Sequence, residues 1–321
     1  GGIELSKKLI AKSDVVVDNF RPGVMDRLGL GYDALKQIKP DIIMLSASSH
    51  GAIGPEKQYS AYAVTFGPIG GVSHLTGYED GSPAVTRSSA DLRPGTAAAF
   101  AILAALNYRE VSGEGQFIDV SAREAISCEI GEAIMDYTMN GRVRTRCGNR
   151  DDILAPNNCY RCKGEDKWIS ISIANDDEWR ALVEVMGNPD WACDAKFADQ
   201  FRRWHNQDEI DRHIEEWTSQ CKDYEIMDLL QRAGVAAIPA FDSEELFTDP
   251  HCKERKIFVP TETIPEGLLY TVAPPWTFTE TPARVTRAAP ELGQDNDYVL
   301  RKLLGLSKKD IDRLIEDKVL Y

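Results

Sequence analysis

Ile3, Leu5, Leu9 and Ile10 recur at helical spacing with lysines on the opposite face, and Val15-Val16-Val17, flanked by Asp14 and Asp18, follows as a short buried strand. A second helical pattern over residues 32–38 and a second apolar run over 41–46 repeat that order. Helix and strand alternating at these lengths predict a parallel α/β sheet. The first strand of the opening crossover is absent, so the sequence reads as lacking an N-terminal unit of about 30 or more residues, or as completed by something else. Residues 59–75 mix small apolar residues with glycines at 67, 70 and 71, which predicts a helix packed closely on another backbone. Residues 96–106 are almost all Ala, Leu, Ile and Phe, and predict a long helix to about 110. A turn at Gly113 and Gly115 leads to a strand from Phe117, and Ser121 with Glu124 forms a capping box for a helix running to about 139.

The pattern changes after residue 150. A hairpin is expected over 159–168, residues 169–173 alternate as a half-exposed strand does, and helical patterns occupy 177–186, 207–220 and 223–233. Short strands are expected at 235–239 and 256–259. Trp179, Trp191, Trp204 and Trp217 fall in this region, where large aromatics are read as core. Pro274-Pro275 and Pro282 mark an exit linker, and Ser307 caps a last helix. The expected organisation is a large α/β domain over 1–150, completed by 276–321, with a smaller α+β domain over 151–275.

With 37 basic and 51 acidic residues the 321-residue chain carries a net charge of −14, which disfavours unspecific attraction to nucleic acid or anionic lipid. A polyanionic ligand would need its own basic pocket. Seven cysteines, an odd number without a signal peptide, suit a reducing cytosol. Cys159 and Cys162 have zinc-knuckle spacing but no second pair, so no metal is expected. No apolar run approaches the ~20 residues of a membrane span.

Asp91 stands just before Pro94-Gly95 and the long apolar helix. It can act as a helix cap, or as a carboxylate kept ionised by the helix N-terminus and free to be a nucleophile. At the end of the first strand, Asn19-Phe20-Arg21-Pro22-Gly23-Val24-Met25-Asp26-Arg27 places arginines where an open α/β sheet binds ligands. His50, in the small-residue turn after the second strand, reads as a hydrogen-bonding surface residue. Arg142, Arg144, Arg146 and Arg150 read as a solvated face.

Ser89-Ala90-Asp91-Leu92-Arg93-Pro94-Gly95, the alanine-rich helix, and Gly113 through Ser121 together resemble the family III CoA-transferases, which include formyl-CoA, carnitine and benzylsuccinate CoA-transferases. The resemblance covers nearly the whole chain. It implies a Rossmann-like large domain that binds coenzyme A as a substrate rather than a resident cofactor, and an interlocked homodimer, with a heterodimer as the variant. It makes Asp91 the nucleophile that carries CoA as an aspartyl thioester between two carboxylic acids. It also implies CoA contacts for Asn19, Phe20 and Arg27. A lysine that some relatives carry near Ser60 is missing, which leaves Lys57 as the substitute. The glycine turns near residues 51 and 70 are candidate oxyanion donors. Relatives with one-carbon substrates have a polyglycine loop after the position of Gly148; here Ala155-Pro156-Asn157-Asn158 stands instead, so a medium-sized acid is expected. The α-methylacyl-CoA racemases share the fold but need a histidine in the segment matching 61–65, which here has none. A non-catalytic subunit is the other competing expectation.

Overall fold

Three apolar runs form a parallel sheet in the order β1 (Val15–Asp18), β2 (Ile43–Ser48), β3 (Phe117–Ser121), with Val16 beside Met44 and Leu45 beside Ile118. The computed structural model describes residues 1–85, 90–264 and 267–320. It divides into two units, residues 1–148 with 290–321, and residues 149–289. In the first unit α1 (Gly2–Ile10) precedes β1, and α2 (Val24–Arg27) and α3 (Tyr32–Ile38) lie between β1 and β2. Ile10, Leu30 and Leu35 close over Ile42 and Met44 on one face of the sheet.

Residues 59–75 do not form one helix. They form α4 (Ala63–Ile69) and α5 (Val72–Leu75), broken at Gly71, whose φ of +88° ends the first and starts the second. A Cβ on Gly70 would lie 2.5 Å from Cγ2 of Ile126, so the close approach is made to that side chain. The following α6 (Leu92–Ser112) covers the other sheet face, packing Ala98 against Leu45 and Val120. Near its C-terminus Arg109 donates to the carbonyls of Asp14 and Asp41, each at 3.3 Å, and pairs with the Asp14 carboxylate at 3.0 Å. The C-terminal end of α6 is thereby fixed at the amino edge of β1 and β2.

The expected helix over 121–139 is likewise divided, into α7 (Ala122–Ser127), a tight turn over Cys128–Ile130, and α8 (Gly131–Asn140). Ser121 caps it, accepting the Glu124 amide at 3.3 Å, but the return bond from the Glu124 side chain that the expected capping box requires is not formed. The second unit has an antiparallel sheet of β4 (Asn157–Arg161), β5 (Trp168–Ser172) and β6 (Ala236–Pro239) over a core that includes Ile169, Ile171, Trp179 and Phe197. Arg203, with no exposed surface, donates there to the carbonyls of Ala155 and Phe197 and to the Asp176 carboxylate at 2.6 Å. The strand expected at 256–259 is longer, Phe258–Ile264, and pairs with Gly267–Val272 in a separate hairpin. Among the described residues no helix is long and apolar enough to cross a membrane.

Candidate active site

All three strands of the parallel sheet end at one edge, and the loops leaving that edge carry the candidate residues. Asp18 closes β1 with its side chain buried. Its Oδ1 accepts the Phe20 amide at 3.1 Å and the Ser46 hydroxyl at 3.2 Å, which sets the direction of the Asn19-Phe20 turn. Burial pushes the Asp18 carboxyl above the usual carboxylate range, because desolvation outweighs those two hydrogen bonds. Gly23, at φ +83°, then turns the chain into α2.

Asn19, Phe20 and Lys57 line one cleft of about 160 Å³, together with Arg21, Ser48 and Tyr59. A neighbouring cavity of about 440 Å³ shares Arg21 and Lys57 and adds Asp18, Tyr32 and Phe117. The sequence thus underweighted Arg21. Its signal was position, directly between Phe20 and Pro22 at a strand exit, and its guanidinium donates to the hydroxyl of Ser60, where some relatives have lysine. Arg27 lines neither cavity; it is exposed at the end of α2, with Nη1 3.5 Å from where a Cβ on Gly23 would be.

Asp91 occupies the N-terminal cap position of α6 and is exposed, after a buried Ala90. It forms no side-chain capping bond, and among the described residues its carboxylate has no hydrogen-bond or ion-pair partner. Thr86 to Ser89, the first part of the motif, lie outside the described residues. Asp91 lines neither cavity, yet its edge is fixed. Arg109 anchors the far end of α6 at the amino edge, and the eighteen intervening residue steps span about 27 Å at ~1.5 Å each. The N-terminus of α6 therefore lies at the carboxyl edge, where Asn19 and Ser48 are.

Other expectations change with the geometry. The amides of Gly70 and Gly71 donate to Phe66 at 2.9 Å and Pro68 at 3.2 Å, so neither is a free oxyanion donor. Beside Gly51, the Ala52 amide is taken by the Asp119 carboxylate at 2.8 Å. His50 is not a surface residue, since its side chain is 7% exposed. The arginine run serves the fold: Arg142 and Arg144 hold Asp136 at 2.6 and 3.0 Å, Arg146 binds backbone carbonyls, and Arg150 pairs with Asp208 and Asp211. Asn140 first, and then these two arginines, hold the Asp136 carboxyl down at about 2. The Cys162 thiol is pushed up to about 12 by burial, which makes it unreactive at neutral pH. Among the described residues no three His, Cys, Asp or Glu side chains converge on a metal site.

A parallel α/β sheet whose strand-end loops carry Asn19-Phe20-Arg21, with an aspartate unpartnered among the described residues at the start of the helix crossing to the third strand, defines a class. The chain belongs to CoA-transferase family III, which it matches over residues 1–296. Among its relatives is the succinyl-CoA–L-malate CoA-transferase β subunit of Chloroflexus aurantiacus, 30% identical over 99% of this chain and 80% of that one. The acetyl-CoA:oxalate CoA-transferase of Acetobacter aceti is 34% identical over 78% of this chain and 65% of its own length. A crystal structure of a CaiB/BaiF family protein from Brucella suis superposes with a TM-score of 0.85 at 29% identity, covering 94% of this chain and 78% of the other. The protein is an enzyme, a CoA-transferase.

Proposed function

We propose that Asp91 is the nucleophile that carries CoA between two carboxylic acids. The observation that supports this most directly is an exposed carboxylate without a partner among the described residues, at the N-terminus of a 21-residue helix whose dipole favours an anion there. An Asp91 oxygen attacks the donor thioester carbonyl, the C–S bond breaks, and a mixed anhydride and CoA thiolate form. The thiolate attacks the aspartyl Cγ, the C–O bond breaks, and the donor acid leaves as its carboxylate. The acceptor carboxylate then attacks Cγ of the aspartyl thioester and expels the thiolate, which takes the acceptor acyl group from the second anhydride and restores Asp91. No proton is gained or lost overall, so the site needs anion stabilisation and exclusion of water rather than a general base. Asn19, Phe20, Arg21 and Lys57 hold the CoA moiety in the cleft, with Arg27 as an outer phosphate contact.

Incubation with an acyl-CoA alone tests this: CoA becomes attached to Asp91, and hydroxylamine converts that residue to a hydroxamate visible in the peptide mass. An unlabelled Asp91 in enzyme that still exchanges CoA would overturn the assignment. A racemase would instead exchange solvent deuterium at the acyl α-carbon without an adduct.

We place the acid among medium-sized dicarboxylates, in line with the succinyl-CoA–malate relative and with Ala155-Pro156-Asn157-Asn158 in place of a polyglycine loop. The acetate–oxalate relative makes oxalate the critical competitor. With succinyl-CoA as donor and a panel of acids in competition, malate or a similar acid is expected to win, and a win for oxalate would reject this. Phe100, Leu103 and Val111 on α6 are 74, 66 and 87% exposed, an apolar face that suits a second subunit of the same family. That subunit is an identical chain in an interlocked dimer, or a distinct one, as the name of the β-subunit relative suggests. None of the seven cysteines is joined in a disulfide, and we place the enzyme in the cytoplasm.

A further inference from the structure

The loop after β2 is tied down from two sides. Arg123 at the start of α7 donates its amide to the Ser49 carbonyl at 3.0 Å, and Asp119 in β3 accepts the Ala52 amide. Between these ties the chain buries His50. Its ring meets Tyr59 edge-on at 5.9 Å between centroids, and its Nδ1 has no hydrogen-bond partner. Oε2 of Glu56 lies 3.6 Å from it, too far for a hydrogen bond, and is already held by Arg123 at 2.5 Å. The charged groups packed around this loop are Glu56 from the loop itself, Arg123 from α7, which holds Glu56, and Asp119 from β3, which holds the Ala52 amide. The residues on either side reach the cleft, since Ser48, Ser49 and Tyr59 all line it. The Ser48 hydroxyl is also buried without a partner.

We propose that His50 is a positioning residue whose protonation closes the gap to Glu56 and strengthens the hold of the Asn19-Phe20 cleft on an anionic CoA ester. This rests on the reading that the cleft binds CoA. With a neutral ring, Glu56 and Arg123 cancel and Asp119 leaves the cluster with one net negative charge. With a charged ring, the Glu56 carboxylate is shared by two cations and the cluster is neutral, so its repulsion of the ligand's anionic groups is lifted. The same closure holds Tyr59, through its contact with the ring, against the bound molecule. Histidine is the side chain suited to this, because imidazole changes charge between about pH 5 and 8.

The test is calorimetric binding of CoA and of 3′-dephospho-CoA from about pH 5.5 to 8.5, the range in which imidazole titrates. The dephosphorylated ligand is needed because a phosphate monoester has its own ionisation near pH ~6, and that works in the opposite direction. Wild-type affinity for 3′-dephospho-CoA is expected to fall about three- to tenfold between the acid and alkaline ends, the size of one partly screened charge pair. In His50→Phe, which keeps an aromatic ring against Tyr59, and in His50→Gln, the profile becomes flat at the wild-type alkaline value. In Glu56→Gln, which removes the carboxylate the ring closes on, the gain in affinity on the acid side is smaller than in wild type. A wild-type profile without inflection, or one that both His50 variants reproduce, overturns the proposal. Arg21→Ala separates the two levels: if it binds CoA as tightly as wild type, the cleft reading itself fails. If it weakens binding while the His50 variants leave the pH profile untouched, only the present inference fails.

Discussion

Substitution of Asp91 separates its two roles because the capping bond is missing. A residue that caps a helix through its side chain is worth about 1 kcal/mol. Among the described residues Asp91 accepts no amide, so Asp91→Asn and Asp91→Ala should each change the unfolding free energy by no more than about 0.5 kcal/mol, the usual range for a surface change. The chemical effect is of another size. Loss of a nucleophile lowers turnover on the order of 10⁴-fold or more, about 5.5 kcal/mol of transition-state stabilisation at ~1.4 kcal/mol per decade. Urea unfolding gives the first quantity and CoA exchange from succinyl-CoA to an acid gives the second. The alanine variant guards against recovery of activity through slow deamidation of the asparagine. Turnover within tenfold of wild type, or a stability loss above about 1 kcal/mol in both variants, would refute the reasoning and leave Asp91 as a structural residue.

Arg21→Ala should raise the acyl-CoA KM more than Arg27→Ala does, with the acceptor-acid KM unchanged, since only Arg21 lines the cleft; steady-state titration of both substrates decides it, and the reverse order would move the phosphates to α2. Arg203→Ala should destabilise the second unit by about 3–5 kcal/mol, because two carbonyls and a carboxylate lose their buried donor. Urea unfolding followed by tryptophan fluorescence measures this, and a loss under about 1 kcal/mol would contradict it. Asp136 has a native pKa below its unfolded value, so the stability it adds is complete above the ordinary carboxylate range and is lost as pH falls from there towards about 2. Acid unfolding of Asp136→Asn should therefore depend less on pH in that window than wild type, and identical acid profiles would remove the effect.

The sheet was legible because local pattern and burial coincide in it. Val15 to Val17 and the run that became β2 are short, apolar and framed by polar residues, and α3 follows the expected 32–38. The divided helices were not legible, since nothing in the apolar pattern of 121–139 marks the turn at Cys128–Ile130; the turn presents Ile126 and Ile130 to Gly70 and Gly71, a contact between segments far apart in sequence. The arginine run was misleading for a related reason. Asp136 meets Arg142 and Arg144 across a reversal of the chain, a spacing that no helical or strand period contains. At the candidate site, Asn19, Phe20 and Asp91 were proposed from motif, whereas Arg21 and His50 became candidates through neighbours that only the folded loop supplies.

The internal pairing of those arginines also bears on how a ligand arrives. Arg142, Arg144 and Arg150 each face carboxylates of their own chain, so they add little to the field beyond it, while the chain as a whole carries −14. On the proposed reading, a polyanion such as CoA meets repulsion at long range and attraction close to Arg21, Lys57 and Arg27. Screening over a Debye length of about 8 Å at physiological ionic strength removes the distant repulsion before it weakens the contacts in the cleft. Association from low ionic strength is then accelerated by moderate salt, the opposite of the steering seen where a basic surface gathers an anionic substrate.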